Sequence, residues 1–97
     1  MKESALELKF KKACEKRGYV CLKLDARGNA GVPDRLVVGE RAVLFVEVKK
    51  DRQAKPSKLQ SFVARQLKQR DHYVLILDDE SEIGNVLNCL EALEEDA

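Results

Sequence analysis

Ninety-seven residues, 44% hydrophobic and 36% charged, describe a globular chain with room for one domain over residues 1–97, not a disordered or fibrous one. No apolar run approaches the roughly 20 residues of a membrane span, and Met1-Lys2-Glu3-Ser4-Ala5 leads into an amphipathic pattern instead of an apolar leader, so a cytoplasmic chain without a membrane role is expected. The formal net charge of +1 hides a split: all 18 Lys and Arg residues lie between Lys2 and Arg70, while residues 74–97 carry eight acids and no Lys or Arg. The basic part can face phosphate, and averaging over the chain conceals that.

Ser4-Ala5-Leu6-Glu7 has the spacing of a capping box and opens a helix expected over Ser4–Arg17, with Leu6, Phe10, Ala13 and Cys14 on one side and Gly18 closing it. Tyr19 to Leu24 is β-prone and reads as a first strand. The turn-rich segment from Asp25 to Gly31 then reverses the chain or passes close to a ligand. Asp34–Val38 and Ala42–Val48 flank Gly39-Glu40-Arg41, which predicts a hairpin. In its second strand Ala42, Leu44, Val46 and Val48 share one face, and Val43, Phe45, Glu47 and Lys49 the other. Apolar residues on both faces predict cover on both sides.

Ser57 with Gln60 is a second capping-box spacing, after Pro56, and starts a helix whose stripe of Leu59, Phe62, Val63, Gln66 and Leu67 is expected to face inward until about Arg70. Tyr73–Leu77 reads as an interior strand. Asp78 to Glu82 ends it and starts a last helix with Ile83, Val86, Leu87, Leu90 and Leu93 at helical spacing, a stripe suited to core packing or to a partner. The order is α-β-β-β-α-β-α, an α/β or α+β arrangement.

Cys14, Cys21 and Cys89 have neither an even count nor a CxxC spacing, which argues against a disulfide framework and a structural zinc site, and buried thiols are expected. His72 is the only histidine and reads as a strand-edge residue. The chemistry lies elsewhere. Glu47 and Lys49 stand where a buried strand ends, and a charge there costs free energy unless a cation, a partner charge or an opening to solvent accommodates it. Asp34 and Glu47 are oxygen donors suited to a hard divalent ion, with the Val48 carbonyl between Glu47 and Lys49 as a further ligand. Lys49 can orient water or offset negative charge. Glu7 and Gln60 each have a capping role and, in addition, a possible place at this site. A PD dipeptide or an EVK tripeptide alone is weak; together, in this order and among basic residues, they point to phosphodiester hydrolysis. Arg27, Arg35, Lys50, Arg52, Lys55 and Lys58 bracket the site as candidate phosphate contacts, which position a backbone without reading bases.

Gly31-Val32-Pro33-Asp34-Arg35, Val46-Glu47-Val48-Lys49 and Ser57-Lys58-Leu59-Gln60 resemble the PD-(D/E)XK nuclease superfamily and, within it, the VRR-NUC family, over Glu7 to Leu77. The resemblance implies a restriction-endonuclease-like core, a mixed central sheet with helices on both faces. It also implies Mg²⁺ or Mn²⁺ dependence and cleavage of DNA. Asp34, Glu47, Val48 and Glu7 would hold metal, Lys49 would support the attacking water, and Gln60 would arrange the site. Small members of this kind look like phage or prophage nucleases of a bacterial host, pairing as homodimers on branched DNA such as four-way junctions or flaps. A different class remains beside it, a catalytically silent nucleic-acid-binding or assembly module on the same scaffold.

Overall fold

A computed structural model describes residues 4–25, 31–49 and 55–97. Helix α1 (Ala5–Lys16) is followed by strands β1 (Val20–Lys23), β2 (Arg35–Val38) and β3 (Val43–Val48), then α2 (Lys58–Lys68), β4 (Val74–Leu77), a short 3₁₀ turn over Glu80–Glu82, and α3 (Ile83–Asp96). The order is the α-β-β-β-α-β-α read from the sequence. The sheet runs β1-β2-β3-β4; β1, β2 and β3 are antiparallel in turn, and β4 lies parallel to β3. A parallel neighbour requires a crossover, and α2 supplies it. Among the described residues no helix is long and apolar enough to cross a membrane.

Local chemistry explains each helix end. Ser4 Oγ accepts from the Glu7 N–H at 3.1 Å, which satisfies one of the orphan donors at the start of α1. The helix closes in a Schellman motif: Gly18, at φ +85°, donates to the Glu15 carbonyl, and Tyr19 donates to that of Cys14. Helix α2 ends in the same way without a glycine. Asp71 takes the left-handed position at φ 63°, its N–H donating to Lys68 O and that of His72 to Leu67 O.

One face of the sheet carries the core. Phe10 and Cys14 of α1, Val86, Leu87 and Leu90 of α3, and Cys21, Val37, Leu44, Val46 and Leu77 of the strands are buried together. The last helix thus spends its stripe on internal packing. The other face differs from the sequence expectation. Helix α2 lies over it beside β4 but buries no side chain, and Leu59 and Phe62 remain 47% and 45% exposed. Their spacing is amphipathic, but the helix covers the β4 side of a four-stranded face, leaving Val20 and Leu22 on β1 exposed as well. Of the cysteines, Cys14 and Cys21 are buried as expected, whereas Cys89 is exposed, because it follows the outward side of α3.

The Asp71 cap yields a stability prediction. A β-carbon in the left-handed region costs about 1 kcal/mol that glycine does not incur, so Asp71→Gly should raise the urea midpoint. An unchanged or lower midpoint would mean that the Asp71 side chain offsets its backbone strain.

Candidate active site

The β2–β3 register pairs Arg35 with Val46. One step further, Asp34 stands opposite Glu47, with both side chains on the face that α2 covers, since Arg35 and Val46 point to the other face. Cross-strand neighbours of this kind bring their Cβ atoms within about 5 Å, and like charges placed so repel. Glu47 is only 6% exposed. Burial, a hydrogen bond with the Asp34 carboxyl and the charge of Asp34 together push its carboxyl up from 4.5 to about 8, against the weaker opposing pull of the Lys49 ammonium. Without a cation, Glu47 therefore keeps its proton at neutral pH.

Asp34 is fixed from another side. Phe45 and Lys49 direct their N–H groups to β4, onto the carbonyls of Tyr73 and Leu77. Alternation turns the Val48 N–H to the opposite edge, beyond the start of β2, where Asp34 Oδ2 accepts it at 2.8 Å. The Val48 carbonyl leaves the strand on that same edge. The Asp34 and Glu47 carboxyls thus stand together at the strand end, oxygen donors of the kind that suit Mg²⁺ when water and phosphate complete its shell. No group of three or more His, Cys, Asp or Glu able to hold a metal occurs among the described residues. The fit to a hard cation rests on the facing carboxyls of Asp34 and buried Glu47, whose repulsion a positive charge relieves.

Lys49 shares the Glu47 face, and its ammonium donates to Gln60 Oε1 at 2.7 Å. The first turn of α2 is seated close by. Gly31, at φ +96°, lies so near that a β-carbon there would stand 2.8 Å from the Leu59 carbonyl oxygen. Gly31, Glu47 and Gln60 border a cleft of about 90 Å³ whose apolar wall includes Pro33, Ala64 and Ile76. Lys55 and Lys58 are exposed where α2 begins. Arg27, Lys50 and Arg52 lie outside the described residues.

Two residues stand elsewhere than the sequence reading put them. Arg35, named there as a phosphate contact, is 2% exposed, and its Nε donates to Glu7 Oε2 at 2.8 Å. It serves as an internal counter-charge on the core side of the sheet, away from a surface that meets a backbone. Glu7, named there as a metal ligand, gives its carboxylate to Arg35 and, at 4.0 Å, to Lys23. Its own helix packs on the opposite face from Glu47. Lys23 was not anticipated, although it faces Arg35 directly across the β1–β2 ladder; that register cannot be read before the strands are paired. Ser57 was anticipated only as a cap.

A structure described as a VRR_NUC domain superposes with a TM-score of 0.79 at 28% identity, covering 86% of this chain and 90% of that one. The chain has the VRR-NUC nuclease fold. No protein-family model matches the sequence, and no curated relative does. The VRR-NUC likeness supports a nuclease-type activity and DNA binding in general terms.

The raised Glu47 group makes stability depend on pH. Between 4.5 and about 8 the native state holds a proton that the unfolded chain has released, so the contribution of Glu47 is greatest below 4.5, falls as pH rises and is level above about 8. Urea midpoints in metal-free buffer should fall over that window in the wild type relative to Glu47→Gln. Parallel curves for the two proteins would show that Glu47 titrates as an ordinary carboxyl.

Proposed function

We propose that this chain is a divalent-metal-dependent endonuclease that hydrolyses DNA phosphodiester bonds, with Asp34, Glu47 and Lys49 as its reacting centre. The observation that carries the reading is the pair of facing carboxyls, buried Glu47 and half-buried Asp34, with an ammonium two residues along the same strand face. A purely structural strand end has no use for that combination. Asp34, Glu47 and the Val48 carbonyl would hold Mg²⁺ or Mn²⁺, which supplies charge neutralisation at the phosphate and a lowered pKa for bound water. Lys49 donates a hydrogen bond to the attacking water or to the phosphate oxygen that gains charge, and Gln60 holds Lys49 in place. Glu7 belongs to this centre only at a distance, adding to the negative field on Glu47 while its carboxylate stays with Arg35.

Lys55 and Lys58, at the start of α2, together with Lys50 and Arg52 just before them in sequence and Arg27 in the segment ahead of Asp34, would meet the DNA backbone. Contacts of this type recognise the path of a strand and not its bases, which favours a substrate defined by shape, such as a four-way junction or a flap. Two copies related by a two-fold axis would present two such centres to two strands. The silent binding module is the competing reading, and the carboxyl pair argues against it, because two acids facing each other repel phosphate unless a cation lies between them.

The test is cleavage of end-labelled linear duplex, single-stranded, flap and junction DNA with Mg²⁺, Mn²⁺ or EDTA. The wild type should cut in the presence of either ion and not in EDTA, with the junction cut fastest. Asp34→Asn, Glu47→Gln and Lys49→Ala should each lower the rate by about 10²-fold or more while keeping the native circular dichroism spectrum. Binding without cleavage on every substrate would establish the silent module instead.

A further inference from the structure

A lysine side chain has four rotatable bonds, and an ammonium that must meet a phosphate or a water loses effectiveness if it samples many positions. The contact that restrains Lys49 is the bond from its Nζ to Gln60 Oε1 at 2.7 Å. Gln60 would itself be free to turn, yet it is tied at both ends to one neighbour. Its N–H donates to Ser57 Oγ at 3.1 Å, and its Oε1 also accepts from the Ser57 N–H at 2.9 Å. Two donors therefore converge on the same amide oxygen. Turning the amide over would bring its NH₂ group against both of them, so the cap fixes which atom Lys49 meets. Gly31 holds the turn from the opposite side through its close approach to Leu59.

We infer that Ser57 is a positioning residue for Lys49, acting through Gln60, so that the capping box of α2 sets the geometry of the reacting centre as well as starting a helix. The assignment deepens the reading given under Proposed function and rests on it. Ser57 is exposed and need touch neither substrate nor cation. Its hydroxyl holds the Gln60 backbone, and its N–H helps hold the side chain. Losing the hydroxyl frees the turn, and Lys49 with it.

Two measurements test this on Ser57→Ala, Ser57→Thr and, as a control for cap loss elsewhere, Asp79→Ala, whose side chain caps the 3₁₀ turn. In the cleavage assay Ser57→Ala should lower kcat about fivefold, the factor that corresponds to loss of an N-cap bond, with KM unchanged; Ser57→Thr, which keeps an acceptor, should restore it. In a pulse of N-hydroxysuccinimide acetate read by peptide mass spectrometry, Lys49 should be acetylated about twofold faster or more, relative to Lys68, in Ser57→Ala than in wild type. Asp79→Ala should leave both values unchanged. Equal Lys49 labelling in Ser57→Ala and wild type, or the same increase in Asp79→Ala, overturns the positioning role. If Lys49→Ala is inert while Ser57→Ala keeps the wild-type kcat, that role alone falls. Lys49→Ala cutting at the wild-type rate overturns both it and the function assigned to Lys49.

Discussion

Asp34 and Glu47 meet where neither carboxyl is free in water, and two negative charges so close in a medium of low polarity cannot both persist without compensation. The molecule without a cation settles this by keeping a proton on Glu47. The rest of the arrangement follows from holding that pair in register. Antiparallel pairing of β2 with β3 sets the two residues opposite each other, and the Val48 N–H fixes the Asp34 carboxylate where the ladder has run out. A cation brought to the pair would have to displace that proton and would then offset the two charges in its place.

The sheet divides stability from chemistry. On one face α1 and α3 bury a continuous apolar core against β1, β2, β3 and β4, and Arg35 with Glu7 forms a buried ion pair there, closed by a hydrogen bond of 2.8 Å and joined by Lys23 at 4.0 Å. A buried pair of this quality holds α1 in one position, since separating the partners would leave a charge without compensation. On the other face α2 buries no side chain fully, and beside its half-buried Val63, Ala64 and Leu67 it is fixed by specific contacts at its first turn: the Gly31 approach to Leu59, and the bond between Lys49 and Gln60. The first turn of α2 is thereby tied to the strand end that carries Glu47 and Lys49.

The family resemblance adds a fold-level argument that is independent of these contacts. Agreement over 86% of the chain at a TM-score of 0.79 places the strand-end carboxyls in a nuclease scaffold, while a shared scaffold by itself does not assign chemistry. The residues around the Asp34–Glu47 pair, particularly Lys55 and Lys58 on the exposed start of α2, have the charge and the exposure that a phosphate backbone requires.

The sequence by itself determined the element order, both helix-capping sites and the shared face of Glu47 and Lys49, because these depend on periodicity, on short-range hydrogen bonding and on alternation along one strand, whereas the β2–β3 pairing brought Asp34 to them. Glu47 and Lys49 share a face whatever the rest of the chain does. Tertiary structure decided what depends on pairing distant segments. Lys23 and Arg35 face each other only once β1 and β2 are in register; Arg35 turns inward because Asp34, its neighbour, turns to the other face; and Glu7 is drawn to Arg35 because α1 packs on the core side. Leu59 and Phe62 looked like core residues by spacing and stayed exposed, since spacing fixes which side of a helix is apolar but not how much of a sheet that helix covers.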